Sequence, residues 1–316
     1  MAKLSKPRAG SLQFWPRKRS GKAVPRVNWS ALPETGNKPG ILGFIAYKAG
    51  MATAFVKDNT ADSMTKGKKI YLPVTILEAP NMKVFSVRFY KSGKVLKETL
   101  VSQDKELKSL LKLPKTLQTL DSQIPQDYDD IRLIVYSLAK QTGIKKTPDL
   151  IELAISAENK LEYSKSLINK EITLKDFLNY EILDVRGLTT GKGFSGAVKR
   201  YGITLKQHKT EKGVRRPGSL GPWHPARVTF HTPMAGQLGM FTRVIYNLKV
   251  VFSGNIAERN INSGTGFKHY GKIKTSYILI KGSVQGPTKR QILLTPPMRA
   301  TKYQVKKKFE FQELVQ

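Results

Sequence analysis

Residues 189–202, TTGKGFSGAVKRYG, interleave small, cationic and aromatic side chains. Gly191, Gly193 and Gly196 let the backbone turn tightly and approach a phosphate or base with no Cβ in the way. Lys192, Lys199 and Arg200 supply charge, and Phe194 and Tyr201 supply apolar or stacking surface. This mixture suits irregular RNA, which is read through shape, backbone contacts and stacking. The three glycines also meet the bare G-x-G-x-x-G spacing of a dinucleotide loop, though they miss G-x-x-x-x-G-K-[ST]. The context argues against a nucleotide: no long apolar-periodic helix follows, and the flanks are strongly basic. Glu211, the acid about twenty positions on, sits inside Lys-Thr-Glu-Lys.

Residues 206–216 (KQHKTEKGVRR) and 217–227 (PGSLGPWHPAR) continue in the same style. Proline and glycine force turns and forbid a regular helix or central strand. Each cation on such a loop, Lys209, Lys212, Arg215, Arg216 and Arg227, can neutralise a phosphate, and the arginines do so as planar bidentate donors. His208 and His224 are candidate hydrogen-bond donors to RNA. Trp223, between Pro222 and His224, either stands at a loop tip or caps a core. Further along, residues 264–271 (GTGFKHYG) make another tight loop bearing Lys268. Residues 281–290 (KGSVQGPTKR) join two apolar runs through a basic turn, with Lys289 and Arg290 as phosphate clamps; both loops also read as ordinary solvated hairpins.

Catalytic constellations are scarce. His208, His224 and His231 lie sixteen and seven apart, which matches no strong zinc signature. Glu211 is the one carboxylate between Asp184 and Glu258, and neither Ser195 nor Ser219 has a base and orienter in reach of argument. The absence of Cys excludes disulfides and thiolate chemistry. No enzyme, cofactor or metal site is expected.

The chain has 316 residues, 40% of them hydrophobic, enough for a core. Its 55 Lys and Arg against 23 Asp and Glu leave a net charge of +32. Such an excess repels itself in a compact fold, and a polyanion that neutralises it is the simplest explanation. No run of eighteen uncharged apolar residues exists, so no membrane helix is expected.

The elements that must hold these loops read as mainly β. Residues 1–38 form an extended basic arm; its first twenty-eight residues carry eight Lys and Arg, among them Arg17, Lys18 and Arg19, and no acid. Phe14 and Trp15 either stack on bases or anchor the arm to the globular part. Residues 39–93 begin a β-barrel or strongly bent sheet. It opens with a strand over 41–47, a turn at 48–51, and a strand over 71–78 whose Pro73 marks an edge or bulge. Residues 84–90 follow with Phe85, Val87 and Phe89 on one side. Residues 94–180 form an α+β insertion: a helix near 102–111, a strand at 131–136, and two or three short helices over 148–179. Thr173 and Asp176 form a capping box for the last helix. Eight acids between 121 and 162 turn this region away from the densest phosphate field. Residues 181–189 return to the barrel, 190–239 form a basic Gly/Pro-rich central extension, 240–300 complete the barrel, and 301–316 form a basic tail. Fifty residues without clear secondary structure fit a segment moulded onto another surface.

Residues 191–200, 208–216 and 218–228 (GSLGPWHPARV) closely resemble the ribosomal protein L3 family in its archaeal and eukaryotic branch. Residues 8–19 (RAGSLQFWPRKR) resemble that family's N-terminal arm, and residues 281–290 its closing hairpin. The resemblance spans nearly the whole chain. It implies a translation-protein-type β-barrel with an inserted α+β region and long basic extensions. It also implies a structural, ribosome-bound and cytoplasmic protein of the large subunit, with large-subunit rRNA and neighbouring ribosomal proteins as partners. Early subunit assembly and functional coupling to translation factors are implied with it. On that resemblance Trp223 is the tip of a central extension that braces rRNA around the peptidyl transferase centre, and His208 lies where relatives carry a modified histidine.

Overall fold

A computed structural model describes residues 14–33, 39–117 and 119–315. The chain divides into two compact units. One comprises residues 14–22 with 188–242, and the other residues 23–187 with 243–315. The opening arm resemblance at residues 8–13 lies outside the described residues, as do positions 34–38 of the expected arm.

The larger unit is built on β-strands. In chain order these are β1 (Gly40–Ile41), β2 (Phe44–Asp58), β3 (Lys69–Ala79), β4 (Met82–Lys91), β5 (Lys94–Leu100), β6 (Asp130–Ser137), β7 (Leu150–Ser156) and β8 (Ile182–Leu188). Two short strands of the smaller unit follow, β9 (Phe194–Ser195) and β10 (Gly236–Gln237). The series closes with β11 (Thr242–Asn255), β12 (Ser276–Lys281), β13 (Gln291–Thr295) and β14 (Phe309–Val315).

The pairing order β13-β8-β11-β12-β3-β2 returns on itself, because β2 also pairs with β13. Closing the ring pairs its six strands with one another, and β14 is added outside it along β2. This ring is the expected barrel. The fifteen residues of β2 serve two partners along one edge: β13 from Phe44 to Tyr47, and β14 from Thr53 to Asp58. Residues 48–51, expected to turn, instead continue the strand through a bulge between Lys48 and Gly50. The inserted residue, Ala49, is fully buried, so the small side chains bend the strand around the ring without reversing it. Pro73 does mark a local edge. The β12 pairing ends at Val74↔Lys281, and Pro73 only accepts the Gly282 amide, at 2.8 Å.

A second sheet has the order β1-β7-β6-β4-β5. β4, grouped in sequence with the opening barrel strands, pairs here with β5 and β6. Its simple alternation is also broken. A register shift between Val84 and Ser86 turns Phe85 into an outer cluster with Leu107, Ile134 and Tyr136, while Val87 and Phe89 join the main core. One extra residue reverses which face every later side chain takes. β7 replaces a helix expected over 148–179; its Ile151 and Ile155 suit a strand, and it pairs with both β6 and β1. The short helices are α1 (Ala139–Thr142), α2 (Lys160–Leu167) and α3 (Leu174–Phe177), and residues 105–109 form a single 3-10 turn where a helix was expected. The capping box is present: the Thr173 amide and hydroxyl both donate to Asp176 at 2.8 Å.

The two sheets share one hydrophobic cluster, in which Phe44, Ile45, Val87, Leu133, Leu153, Leu293 and Phe177 are all fully buried. That double cover explains why β2 opens with four consecutive buried residues. Gly43 sits at the seam: a Cβ there would meet Leu153 Cδ2 at 2.7 Å and the Trp29 ring at 3.1 Å. The expected tail is in part a strand. In β14, Phe311 is buried in the same core.

Candidate nucleic-acid interface

In the smaller unit the two limbs of residues 190–239 run side by side at their base. The Thr189 amide donates to Phe241 O at 2.9 Å, Lys192 N–H to Leu238 O at 2.9 Å, and Leu238 N–H to Gly193 O at 2.9 Å. β9 and β10 then pair antiparallel. Gly239 makes this closeness possible. Its φ is +83°, and a Cβ there would lie 2.1 Å from Thr190 O and 2.8 Å from Gly191 Cα. Gly193 also takes a positive φ, +59°, next to the hairpin.

Beyond the hairpin comes α4 (Ala197–Tyr201), ended by Gly202 at φ +67°. The segment expected to lack structure thus has a small core. The Tyr201 ring is 2% exposed and stacks on Trp15 with centroids 5.9 Å apart. Trp15 also meets Phe230 and His231 edge-on at 5.6 and 5.8 Å. The Arg17 guanidinium lies 4.2 Å from the Tyr201 ring centroid. Arg200 ties the pieces together: Nε donates to Gln237 O at 2.9 Å, one terminal nitrogen to Met234 O at 3.0 Å, and the other to Arg17 O at 3.1 Å. Of the two roles open to Trp15, anchoring is the one it performs here, and its partner is the extension.

This hub sorts the candidate residues. Arg17 and Arg200, expected to contact RNA directly, are half-buried and engaged in holding the arm against α4. Each guanidinium carries fixed donors in a planar fork, which suits three backbone carbonyls as well as a phosphate. Tyr201, offered as stacking surface, is buried, whereas Phe194 is 82% exposed. Lys18, Arg19, Lys192, Lys199, His208, Lys209, Lys212, Arg215, Arg216, His224 and Arg227 are all exposed. Residues 190–239 hold nine Lys and Arg against the single Glu211. Trp223 is 87% exposed, with the exposed Leu220 and Val228 lining the same hollow. It caps no core. The loop that carries it is tied across by Thr232 Oγ1 donating to Leu220 O at 2.8 Å.

The remaining candidates belong to the larger unit. Lys268 is exposed on a turn whose neighbours Phe267 and Tyr270 are buried, and Asn262 closes its base through two hydrogen bonds to Ile273, at 2.8 and 2.9 Å. Lys289 is exposed with φ +66°, and its amide donates to Lys48 O at 2.8 Å. Arg290 is half-buried, and burial lowers its pKa from the ordinary guanidinium value. Lys48 explains the hairpin's shape: its Nζ donates to Val284 O at 2.5 Å and Gly286 O at 3.0 Å. Sequence reasoning missed this lysine, Gly239 and the hub role of Tyr201. Tyr201 stands beside a glycine, Lys48 follows an apolar run and Gly239 lies between Leu238 and Met240, and none of these neighbours says which distant segment each will meet. Among the described residues no group of three or more His, Asp or Glu is placed to hold a metal ion, and no helix is long and apolar enough to cross a membrane.

The chain matches the family model of ribosomal protein L3 over residues 1–313. The chain belongs to the ribosomal protein L3 family. Among similar L3-family proteins is the large ribosomal subunit protein uL3 of Methanocaldococcus jannaschii. It is 38% identical over 315 residues, covering 94% of this chain and 92% of that protein. The uL3 of Methanococcoides burtonii is 39% identical over 323 residues, covering 95% and 94%. That of Methanococcus vannielii is 38% identical over 315 residues. These L3 relatives are matched across both units, the exposed extension included.

Proposed function

We propose that this L3-family chain is a structural, non-enzymatic constituent of the large ribosomal subunit, working in the cytoplasm as part of the ribosome and binding large-subunit rRNA. The observation that carries this reading is the exposed extension: nine cations, one carboxylate, and a tryptophan and a phenylalanine turned to solvent. Cations of this kind bind phosphates and give salt-dependent affinity, while exposed rings stack on unpaired bases. The Trp15–Tyr201–Arg200 hub holds the arm against α4. Lys18, Arg19, Lys192, Lys199, Lys209, Lys212, Arg215, Arg216 and Arg227 neutralise phosphates, as do Lys268, Lys289 and Arg290 on the barrel side. Phe194 and Trp223 stack, His208 and His224 donate hydrogen bonds, and Arg17 and Arg200 contribute by holding this surface in place. Trp223 braces rRNA around the peptidyl transferase centre, where the chemistry is carried by RNA. The protein supports early subunit assembly beside neighbouring ribosomal proteins and couples the centre to translation-factor binding.

Cross-linking the protein to RNA in living cells, followed by sequencing of the attached RNA, tests this reading. The expected result is discrete sites in large-subunit rRNA clustered near the peptidyl transferase region. Contacts scattered over many transcripts would favour a general RNA-binding or RNA-processing role instead.

A further inference from the structure

The larger unit carries a second concentration of cations. The loop joining β2 to β3 is organised on Asp58, whose carboxylate accepts from Thr60 N–H at 2.9 Å, Ser63 Oγ at 2.8 Å and Thr65 Oγ1 at 2.6 Å. A further helix, α5 (Lys302–Lys306), leads into β14, and the segment between them is laced to that loop. Asn59 N–H donates to Lys308 O at 2.9 Å, and Lys308 N–H to Thr60 Oγ1 at 3.1 Å. Together these pieces gather Lys57, Lys66, Lys68, Lys69, Lys306 and Lys308 at one end of the barrel.

Two more lysines are held there in a way that surface chance does not explain. Lys281, the last residue of β12, is half-buried with Nζ 5.0 Å from the Phe309 ring centroid. Against it lies Lys307, also half-buried, with Nζ 3.9 Å from the Tyr303 ring centroid. Neither ammonium makes an ion pair with an acid among the described residues. Burial first, and then the charge of Lys307, push the Lys281 pKa down, with Asp58 pulling the other way. The nearby carboxylates are already engaged: Asp58 by its loop, Asp62 by Lys306 at 3.9 Å, and Glu310 by the Asn59 amide at 3.1 Å. Two like charges held together suit a shared, doubly contacted anion.

We propose that this end of the barrel is a second RNA-docking surface, in which Lys281 and Lys307 together clamp one backbone phosphate and Tyr303 offers a base-stacking face. Tyr303 is 68% exposed. The inference rests on the rRNA-binding reading above, which had placed no RNA contact here.

The test is equilibrium binding of the full-length protein to a large-subunit rRNA transcript over a salt series. Lys281→Gln with Lys307→Gln should weaken binding about tenfold near physiological salt and reduce the salt slope by about one. Lys281→Arg with Lys307→Arg should retain it. Amine acylation of the unmodified protein provides a readout free of any folding defect: both lysines should be protected when RNA is bound. Equal labelling with and without RNA would overturn the proposal. So would protection that needs the other ribosomal proteins, since that would mark an acidic protein partner. Arg215→Ala with Arg216→Ala separates the two readings. If that pair weakens binding and the Gln pair does not, the barrel end is not an RNA surface while the extension still is. If the unmodified protein shows no preference for its rRNA, both readings fall.

Discussion

The three tryptophans illustrate how little a residue type says about its work. Trp29 is 6% exposed and packs in the barrel core, Trp15 stacks on Tyr201 to hold the arm, and Trp223 is 87% exposed. Replacing Trp29 and Trp223 with alanine should therefore have different outcomes. Trp29→Ala creates a cavity and should cost about 3–5 kcal/mol in thermal or denaturant unfolding. Trp223→Ala removes almost no packing and should stay within about 0.5 kcal/mol of the parent. It should nonetheless reduce the yield of mature large subunits in cells that depend on the variant. Normal subunit yield together with normal factor binding would refute the bracing role given to this ring.

At the level of elements, the decisive features are places where two segments approach more closely than side chains allow. Gly239 is one: its backbone passes so near Thr190 O that an alanine must push the limbs apart, and its positive φ adds strain. Gly239→Ala should leave the barrel melting unchanged. Hydrogen exchange should show lost protection at the Lys192 and Leu238 amides, whose bonds bridge the limbs. The β2–β3 loop makes a different prediction. Burial raises the Asp58 pKa, but the hydrogen bonds from Thr60, Thr65 and Ser63 outweigh it and hold the carboxyl well below its ordinary value. A depressed folded-state pKa contributes stability that is present above the unfolded value of about 3.9 and disappears as pH falls toward the folded one. Asp58→Asn should accordingly melt below the parent at neutral pH, and the gap should narrow progressively in acid. A gap independent of pH would mean that the carboxylate charge contributes nothing there.

For the whole molecule the governing fact is where the charge lies. Residues 94–180 hold fourteen Lys and Arg against thirteen Asp and Glu, so nearly all of the net +32 belongs to the rest of the chain. RNA affinity should fall linearly on a logarithmic salt scale, by roughly 0.7–0.9 per phosphate neutralised. Charge reversal on the acidic insertion should move that slope far less than the same number of changes in residues 190–239. Filter binding of both variant sets over a salt series decides it. Much of this distribution was plain from the sequence, as was the barrel's β character, because β-branched and apolar runs such as residues 71–78 suit buried strands. The exposed extension was equally plain, since glycine, proline and like charges cannot build a large core. Three things were decided only by tertiary structure. β14 exists because Phe309 finds Asp58 some 250 positions earlier in the chain. The bulge in β4 sends Phe85 to the opposite side from Val87. Arg200 donates to three backbone carbonyls, those of Arg17, Met234 and Gln237. Strand pairing and guanidinium partnering are choices among surfaces brought together by folding, and local sequence carries no record of which surface arrives.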